Sequence, residues 1–413
     1  MASPNQPACE WKWAYFYINS ESQPNRVYSI NHLPLQQISG PLENFEALGV
    51  REDLVKGLTE MGIIVPTEIQ RLVIPVLIGE HTDLVGQAHT GTGKTAAYGL
   101  PLLQRVDAKR KTIQALVLCP TRELGQQVAK QLFKYTKYSD KIFAEAVYGG
   151  PNIEQQISAL TRPTHVVVAT PGRLIDLLKR KALDLSAVRT VVLDEADEML
   201  SLGFKKELDQ ILSMVSEAKS KWLFSATMPA GIHQIVNEHL SPDAVRIQIS
   251  GRNVVNKNIA HQYFLCDDYE KTNALMQMLR SHPDSRGVVF CKTKATTQNL
   301  TKQLIAKNVP VDCIHGDLLQ KERDKVMRAF KNGSLRVLVA TDLAARGIDV
   351  ADLSFVVHYQ LPDKDEYYTH RSGRTARAGK RGISLSLVTS AETRQLRHFE
   401  KALGISFTEI RQL

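Results

Sequence analysis

The chain has 413 residues, 43% of them hydrophobic and 23% charged, which is too long for one hydrophobic core and suits a soluble protein of two domains. Its 52 lysines and arginines exceed its 43 aspartates and glutamates, and the resulting charge of +9 suits a polyanionic partner. The five cysteines form no C-x-x-C pair, no apolar stretch reaches membrane-spanning length, and no basic segment followed by an apolar run opens the chain. These features exclude a zinc knuckle, a dithiol redox site, a spanning helix and a secretory leader, and they imply a reducing, cytoplasmic setting.

Residues 1–40 hold Trp11, Trp13, Tyr15, Phe16 and Tyr17 and then polar, proline-containing sequence. No period runs through them, so they are expected to be an irregular extension. Whether the aromatic cluster docks on the body, docks on a partner, or is disordered stays open. From about residue 41, short β-branched runs alternate with helical patterns, as in a doubly wound parallel sheet. Strands are expected at Asp83–Val85, Ala115–Leu118, His165–Ala169, Val191–Leu193 and Trp222–Phe224. Residues 249–259 break the alternation and read as a linker. It resumes with strands at Gln262–Leu265, Gly287–Phe290, Val311–Ile314, Val337–Val339, Phe355–Val357 and Ser384–Leu387. The fold class is therefore α/β, with two tandem units at 41–248 and 260–413. The basic runs Lys109–Lys111 and Lys179–Lys181 fall between elements and read as solvated loops.

Ala88-His89-Thr90-Gly91-Thr92-Gly93-Lys94-Thr95 follows the first of these strands and fits a phosphate-binding loop, with Ala in place of its first Gly. Gly91 and Gly93 let the backbone curl so that its N–H groups converge on phosphate oxygens, and the next helix adds its positive end. Lys94 would reach the β and γ phosphates, and Thr95 would ligate Mg²⁺. A glycine-rich turn without a ligand is the alternative, and the contiguous Gly-Lys-Thr argues against it.

Asp194-Glu195-Ala196-Asp197 ends the apolar run Val191–Leu193. A carboxylate at such a strand tip suits an Mg²⁺ holder, here Asp194, and Glu195 would orient and deprotonate an attacking water. In the second unit, Arg371, Arg374 and Arg377 recur every third residue after His370. On a helical turn they share one face, and their planar cations suit the charge of a γ-phosphoryl transition state.

Together these motifs resemble the DEAD-box family of RNA helicases, over about residues 43 to 400. The resemblance implies two RecA-like domains, ATP and Mg²⁺ as ligands, RNA as partner, and a monomeric core. Gly62–Gln70 is similar to the family's Q motif; Gln70 would hydrogen-bond adenine, and Phe45 would stack on it as the motif's upstream aromatic. Pro120-Thr121-Arg122, Gly150 and Thr170-Pro171-Gly172-Arg173 match the first-domain RNA motifs, which would grip phosphates and sugars. Ser225-Ala226-Thr227, with Asp197 and His370, would couple hydrolysis to strand separation. Gln320, Arg323 and Thr341 would meet RNA from the second domain, Gly347 and Asp349 the ribose of ATP, and Arg374 and Arg377 the γ-phosphate.

The chain departs from the family pattern at His89, Ile63, Cys119 and at His358-Tyr359-Gln360, where Asn-Tyr-Asp is usual. Gln360 carries no charge, which puts that Asp's ion pair in doubt. The function implied is an ATP-dependent RNA helicase. An ATP-gated RNA clamp uses the same motifs and is the alternative; a DNA translocase of the wider superfamily fits the Q motif and Ser225–Thr227 less well.

Overall fold

The computed structural model describes residues 27–29, 44–79, 81–88, 91–249, 258–345, 353–376 and 380–412. In the first half, β1 (Val27–Ser29), α1 (Glu52–Glu60) and α2 (Glu68–Gly79) lead into β2 (Leu84–Gln87), α3 (Lys94–Arg105), β3 (Ala115–Leu118) and α4 (Arg122–Tyr135). There follow β4 (Ala144–Val147), α5 (Ile153–Leu160), β5 (Val166–Ala169), α6 (Pro171–Lys179), β6 (Thr190–Leu193), α7 (Ala196–Ser201), α8 (Lys205–Met214), β7 (Ser220–Ser225), α9 (Ala230–His239) and β8 (Val245–Gln248). The second half runs β9 (Ile259–Leu265), α10 (Lys271–Ser281), β10 (Gly287–Cys291), α11 (Lys294–Ile305), β11 (Val311–Ile314), α12 (Gln320–Lys331), β12 (Val337–Thr341) and α13 (Asp342–Ala345). It ends with β13 (Phe355–His358), α14 (Asp365–Ser372), β14 (Gly382–Val388), α15 (Thr393–Leu403) and β15 (Thr408–Glu409).

Two parallel sheets result. The first has eight strands in the order β1-β8-β2-β7-β6-β3-β5-β4, the second seven in the order β11-β12-β10-β13-β14-β9-β15. Their central strands are mostly apolar and buried because helices cover both faces; β3, β5 and β10 carry no strongly polar side chain. Ala115 and Val117 of β3 point into the core under α1 to α4, while Leu116 and Leu118 point into the core under α6, α8 and α9. All the strand ends that precede helices fall on one edge of each sheet, where open α/β sheets bind ligands.

The expected strands are present, most of them longer than expected by one to three residues. Four more exist: β1, β4, β8 and β15. Three of these are sheet edges, which have one neighbour and need no apolar run; β4 reads Ala-Glu-Ala-Val and β15 only Thr-Glu. Strand β1 lies within the extension expected to be irregular and pairs in parallel with β8, Val27 opposite Arg246. The rest of residues 1–43 and most of the expected linker lie outside the described residues. No helix among the described residues is long and apolar enough to cross a membrane.

Candidate active site

The phosphate loop joins β2 to α3. Gly91 and Gly93 have φ of +87° and +91°, which an L side chain adopts only under strain. Gly93 has a second constraint: a Cβ there would lie 2.4 Å from Gln70 Nε2. Gln70, on α2 and 3% exposed, donates from Nε2 to Gly93 O (3.0 Å) and accepts at Oε1 from Thr67 N (2.8 Å). A carboxamide has two N–H groups and two lone pairs, so one of each remains for a ligand. Lys94 is buried at the start of α3 and donates to Ala88 O (2.8 Å), closing the loop on itself.

The acidic tetrad follows β6, which lies between β7 and β3. Glu195 has φ of +52°, a left-handed conformation for a non-glycine residue, held by α7 starting at the next position. Such strain typically costs about 1 kcal/mol or more and collects at functional sites. Asp194 is buried, and burial pushes its carboxyl up to about 6, against the pull of Lys94 and with the push of Glu195. The buried Asp194 carboxylate and the Thr95 hydroxyl line one cavity and both offer oxygen, a donor set that fits Mg²⁺, a hard cation that takes oxygen ligands.

Asp197 points away from that cavity toward β7. Its Oδ2 accepts from both Thr227 N and Thr227 Oγ1 (2.8 Å each), and Ser225 Oγ accepts from Asp197 N (3.3 Å) and donates to Thr227 O (2.6 Å). Burial raises the Asp197 carboxyl, but His370, Lys94 and the Thr227 bonds outweigh it and hold the carboxyl below its usual value. His370 arrives from the second sheet on α14, with Nδ1 3.6 Å from Glu198 Oε2. Burial lowers the His370 pKa although Asp197 and Glu195 favour its charge.

A cavity of about 230 Å³ joins these parts. It is lined by Ile63 and Gln70, by the loop from Gly91 to Ala96, by Asp194 and Glu195, and by Arg374 of the second half. One cavity thus holds a candidate phosphate loop, a candidate cation-binding carboxylate, a candidate base and a guanidinium from the facing domain. Such a set can bind a nucleoside triphosphate and direct water at its terminal phosphate.

Residues 67–235 match the DEAD/DEAH box helicase family and residues 270–379 the helicase conserved C-terminal domain. The chain is 41% identical over 360 residues to the DEAD-box ATP-dependent RNA helicase CshA of Bacillus cereus, covering 87% of this chain and 68% of that protein. It belongs to the DEAD-box helicase family. The CshA of Geobacillus kaustophilus is 40% identical over 361 residues, covering 87% of this chain and 76% of that protein. Among solved structures, S. cerevisiae Dbp5 bound to RNA and ADP BeF3 gives a TM-score of 0.79 at 29% identity, over 89% of this chain and 95% of that one. A DEAD box protein from Methanococcus jannaschii gives 0.54 at 38% identity, over 89% and 99%.

The expected RNA-contacting residues line the neighbouring strand ends, after β3 and β5. Pro120 is buried at the end of β3; Thr121 caps α4 by accepting from Leu124 N, which fixes where the helix begins. Thr170 and Pro171 start α6 in the same way of facing, and Gly172 follows. Two helix N-termini therefore point at one side of the cleft, an arrangement suited to phosphates. Arg173 donates to Pro151 O (3.2 Å), and Arg122 lies over the Tyr148 ring (4.9 Å). Each has a buried Nη1 without a hydrogen-bond partner.

The cleft is bridged at this side. Arg122 pairs with Asp324 (3.1 Å) and Arg323 with Glu123 (2.8 Å), both across the two halves. Gln320 donates to Asp324 and lies 3.6 Å from where a Cβ on Gly150 would stand. Thr341 is buried at the end of β12. His89, Thr90, Gly347, Asp349 and Arg377 lie outside the described residues.

Phe45 is 1% exposed, packs in the core with α1 and α2, and is not among the residues that line the cavity. Its side chain anchors the turn into α1, where its carbonyl accepts from Leu48 and Val50 N–H groups; Ile63 supplies the apolar wall instead. Gln360 accepts from Lys292 N (2.9 Å), and Asp363 accepts from Lys292 Nζ (2.6 Å). Sequence reasoning missed Glu123, Asp324 and Tyr98. Only Tyr98 had a signal, since it stands one helical turn after Lys94.

Proposed function

We propose that this chain is an RNA-dependent ATPase that remodels RNA by drawing two RecA-like domains, 41–248 and 260–413, together over one cleft. ATP would lie with its phosphates on the Gly91–Thr95 loop and Lys94, and its adenine against Gln70 and Ile63. Thr95 and Asp194 would hold Mg²⁺, which when bound neutralises charge on the β and γ phosphates. Glu195 would orient the attacking water and take its proton; ADP and phosphate leave as that O–P bond forms and the β–γ bond breaks. Arg374, with Arg377, would stabilise the charge that develops.

RNA would be gripped by its backbone at the N-termini of α4 and α6, by Arg122, Arg173 and Gly150, and from the facing domain by Gln320, Arg323 and Thr341. Contacts to 2′-hydroxyls would favour RNA over DNA. Asp197, bonded to Thr227 and facing His370, would pass the state of the nucleotide to that grip. The buried, unpaired thiols support a reducing intracellular compartment such as the cytoplasm.

The observation that carries this reading is Arg374 lining the same cavity as Lys94, Asp194 and Glu195, because the site is then complete only when the domains meet. The experiment is ATP hydrolysis with and without a panel of RNAs and single-stranded DNA, for the wild type, Glu195→Gln and Arg374→Ala. RNA should stimulate the wild type. Glu195→Gln should bind ATP and RNA but lose turnover by at least ~10²-fold, and Arg374→Ala by about 10³-fold. Full RNA-stimulated turnover by Glu195→Gln would sink the catalytic assignment, and equal stimulation by DNA the assignment of RNA.

A further inference from the structure

Tyr98 stands one turn after Lys94 and Thr95 on α3 and has no exposed surface. Its ring packs at a tilt against Phe224 (centroids 5.3 Å apart), which accounts for an aromatic residue but not for a phenol. The hydroxyl donates to Asp194 Oδ2 at 2.8 Å. It therefore touches the carboxylate assigned above to the cation. A phenol has one proton, and the Asp194 carboxylate takes it.

Occupying Asp194 Oδ2 leaves the other carboxylate oxygen for the metal side. Resting on the Mg²⁺ reading above, we propose that Tyr98 is a positioning residue whose hydroxyl fixes the Asp194 carboxylate in the orientation a divalent cation requires. The cation then meets a ligand already arranged.

The test is a titration of Mg²⁺ into the full chain with a fluorescent ADP analogue, read as nucleotide affinity and not as turnover. Tyr98→Phe keeps the ring and removes only the oxygen. It should raise the Mg²⁺ concentration needed for half-maximal effect by about tenfold, the loss of one hydrogen bond to a charged group, with the affinity in EDTA unchanged. In a double-mutant cycle the losses from Tyr98→Phe and Asp194→Asn should not add, since Tyr98 acts through Asp194. An unaltered Mg²⁺ dependence overturns the proposal, as does an equal loss with and without Mg²⁺, which would mark a packing role. Additive losses overturn it too. A wild type whose nucleotide affinity ignores Mg²⁺ would instead overturn the metal assignment on which it rests.

Discussion

Replacing Gln70 separates two jobs that the structure gives one carboxamide. Internally it accepts from Thr67 N and donates to Gly93 O. Externally it has one N–H and one lone pair left, the complement of the adenine edge. Gln70→Ala removes the two internal bonds, worth about 0.5–1.5 kcal/mol each, so about 1–3 kcal/mol in all. The exposed Thr67 can bond water instead, which places the loss at the lower end. The two bonds to the base are worth a similar amount, so ATP affinity should fall by about 10- to 100-fold. GTP, which presents the opposite edge, should lose little, and the preference for ATP should collapse.

Gln70→Glu makes the sharper case. The carboxylate can still accept from Thr67 N but cannot donate to Gly93 O, 3.0 Å away in the wild type. Two oxygens would face each other under a loop that must receive phosphates. The predicted order of nucleotide affinity is therefore Gln, then Ala, then Glu, although Glu is the closer match in shape. Fluorescent ADP and GDP binding, with thermal melting as the check on folding, measures it. A glutamate variant that binds better than the alanine variant would refute the hydrogen-bond argument, and preserved ATP preference in Gln70→Ala would refute base reading.

Two further outcomes follow from the second domain. Burial lowers the His261 pKa from 6.5 to about 4, so an unfolded chain takes up this proton well before the folded one. That stability is present above pH 6.5 and lost as pH falls toward 4, about 3 kcal/mol in total; denaturant unfolding at pH 7 and 4.5 should show it, and His261→Gln should shrink the difference. At the cleft, Asp324→Asn should strengthen binding of single-stranded RNA a few-fold, because it frees Arg122 of a partly exposed ion pair worth about 0–1 kcal/mol and removes a charge that repels phosphate. Fluorescence anisotropy measures this, and weaker binding by the variant would mean that the ion pair serves closure more than it obstructs RNA.

Much of this was legible in the residues themselves. Gly93-Lys94-Thr95 and the tetrad at Asp194 announce their chemistry because phosphate and cation binding need particular atoms at particular steps of the chain. Central strands were legible because burial on both faces demands unbroken apolar runs. Edge strands β1, β4 and β15 were not, since half their surface and one ladder of bonds can face water. Phe45 shows a different limit. An aromatic ring suits a base and a core equally well, and only its neighbours decide. The ion pairs of Arg122 and Arg323 were hidden because Asp324 and Glu123 meet them only across a cleft formed by two separately folded sheets.

The order of strands explains why one tetrad can serve both ligands. Strand β6 is flanked by β7, and beyond it the phosphate-loop strand β2, on one side; on the other lie β3 and β5, whose following helices face the proposed RNA path. Asp194 and Glu195 face the nucleotide cavity, whereas Asp197 turns to Thr227 after β7 and sits near His370 of the other domain. On the proposed function, a shift at the γ-phosphate would reach the facing domain by two routes. One would be direct, through Arg374 in the cavity. The other would pass through Asp197 and His370, outside the cavity. Losing phosphate would remove the partner of the first while leaving the second intact, so the domains would not have to separate at the moment of hydrolysis.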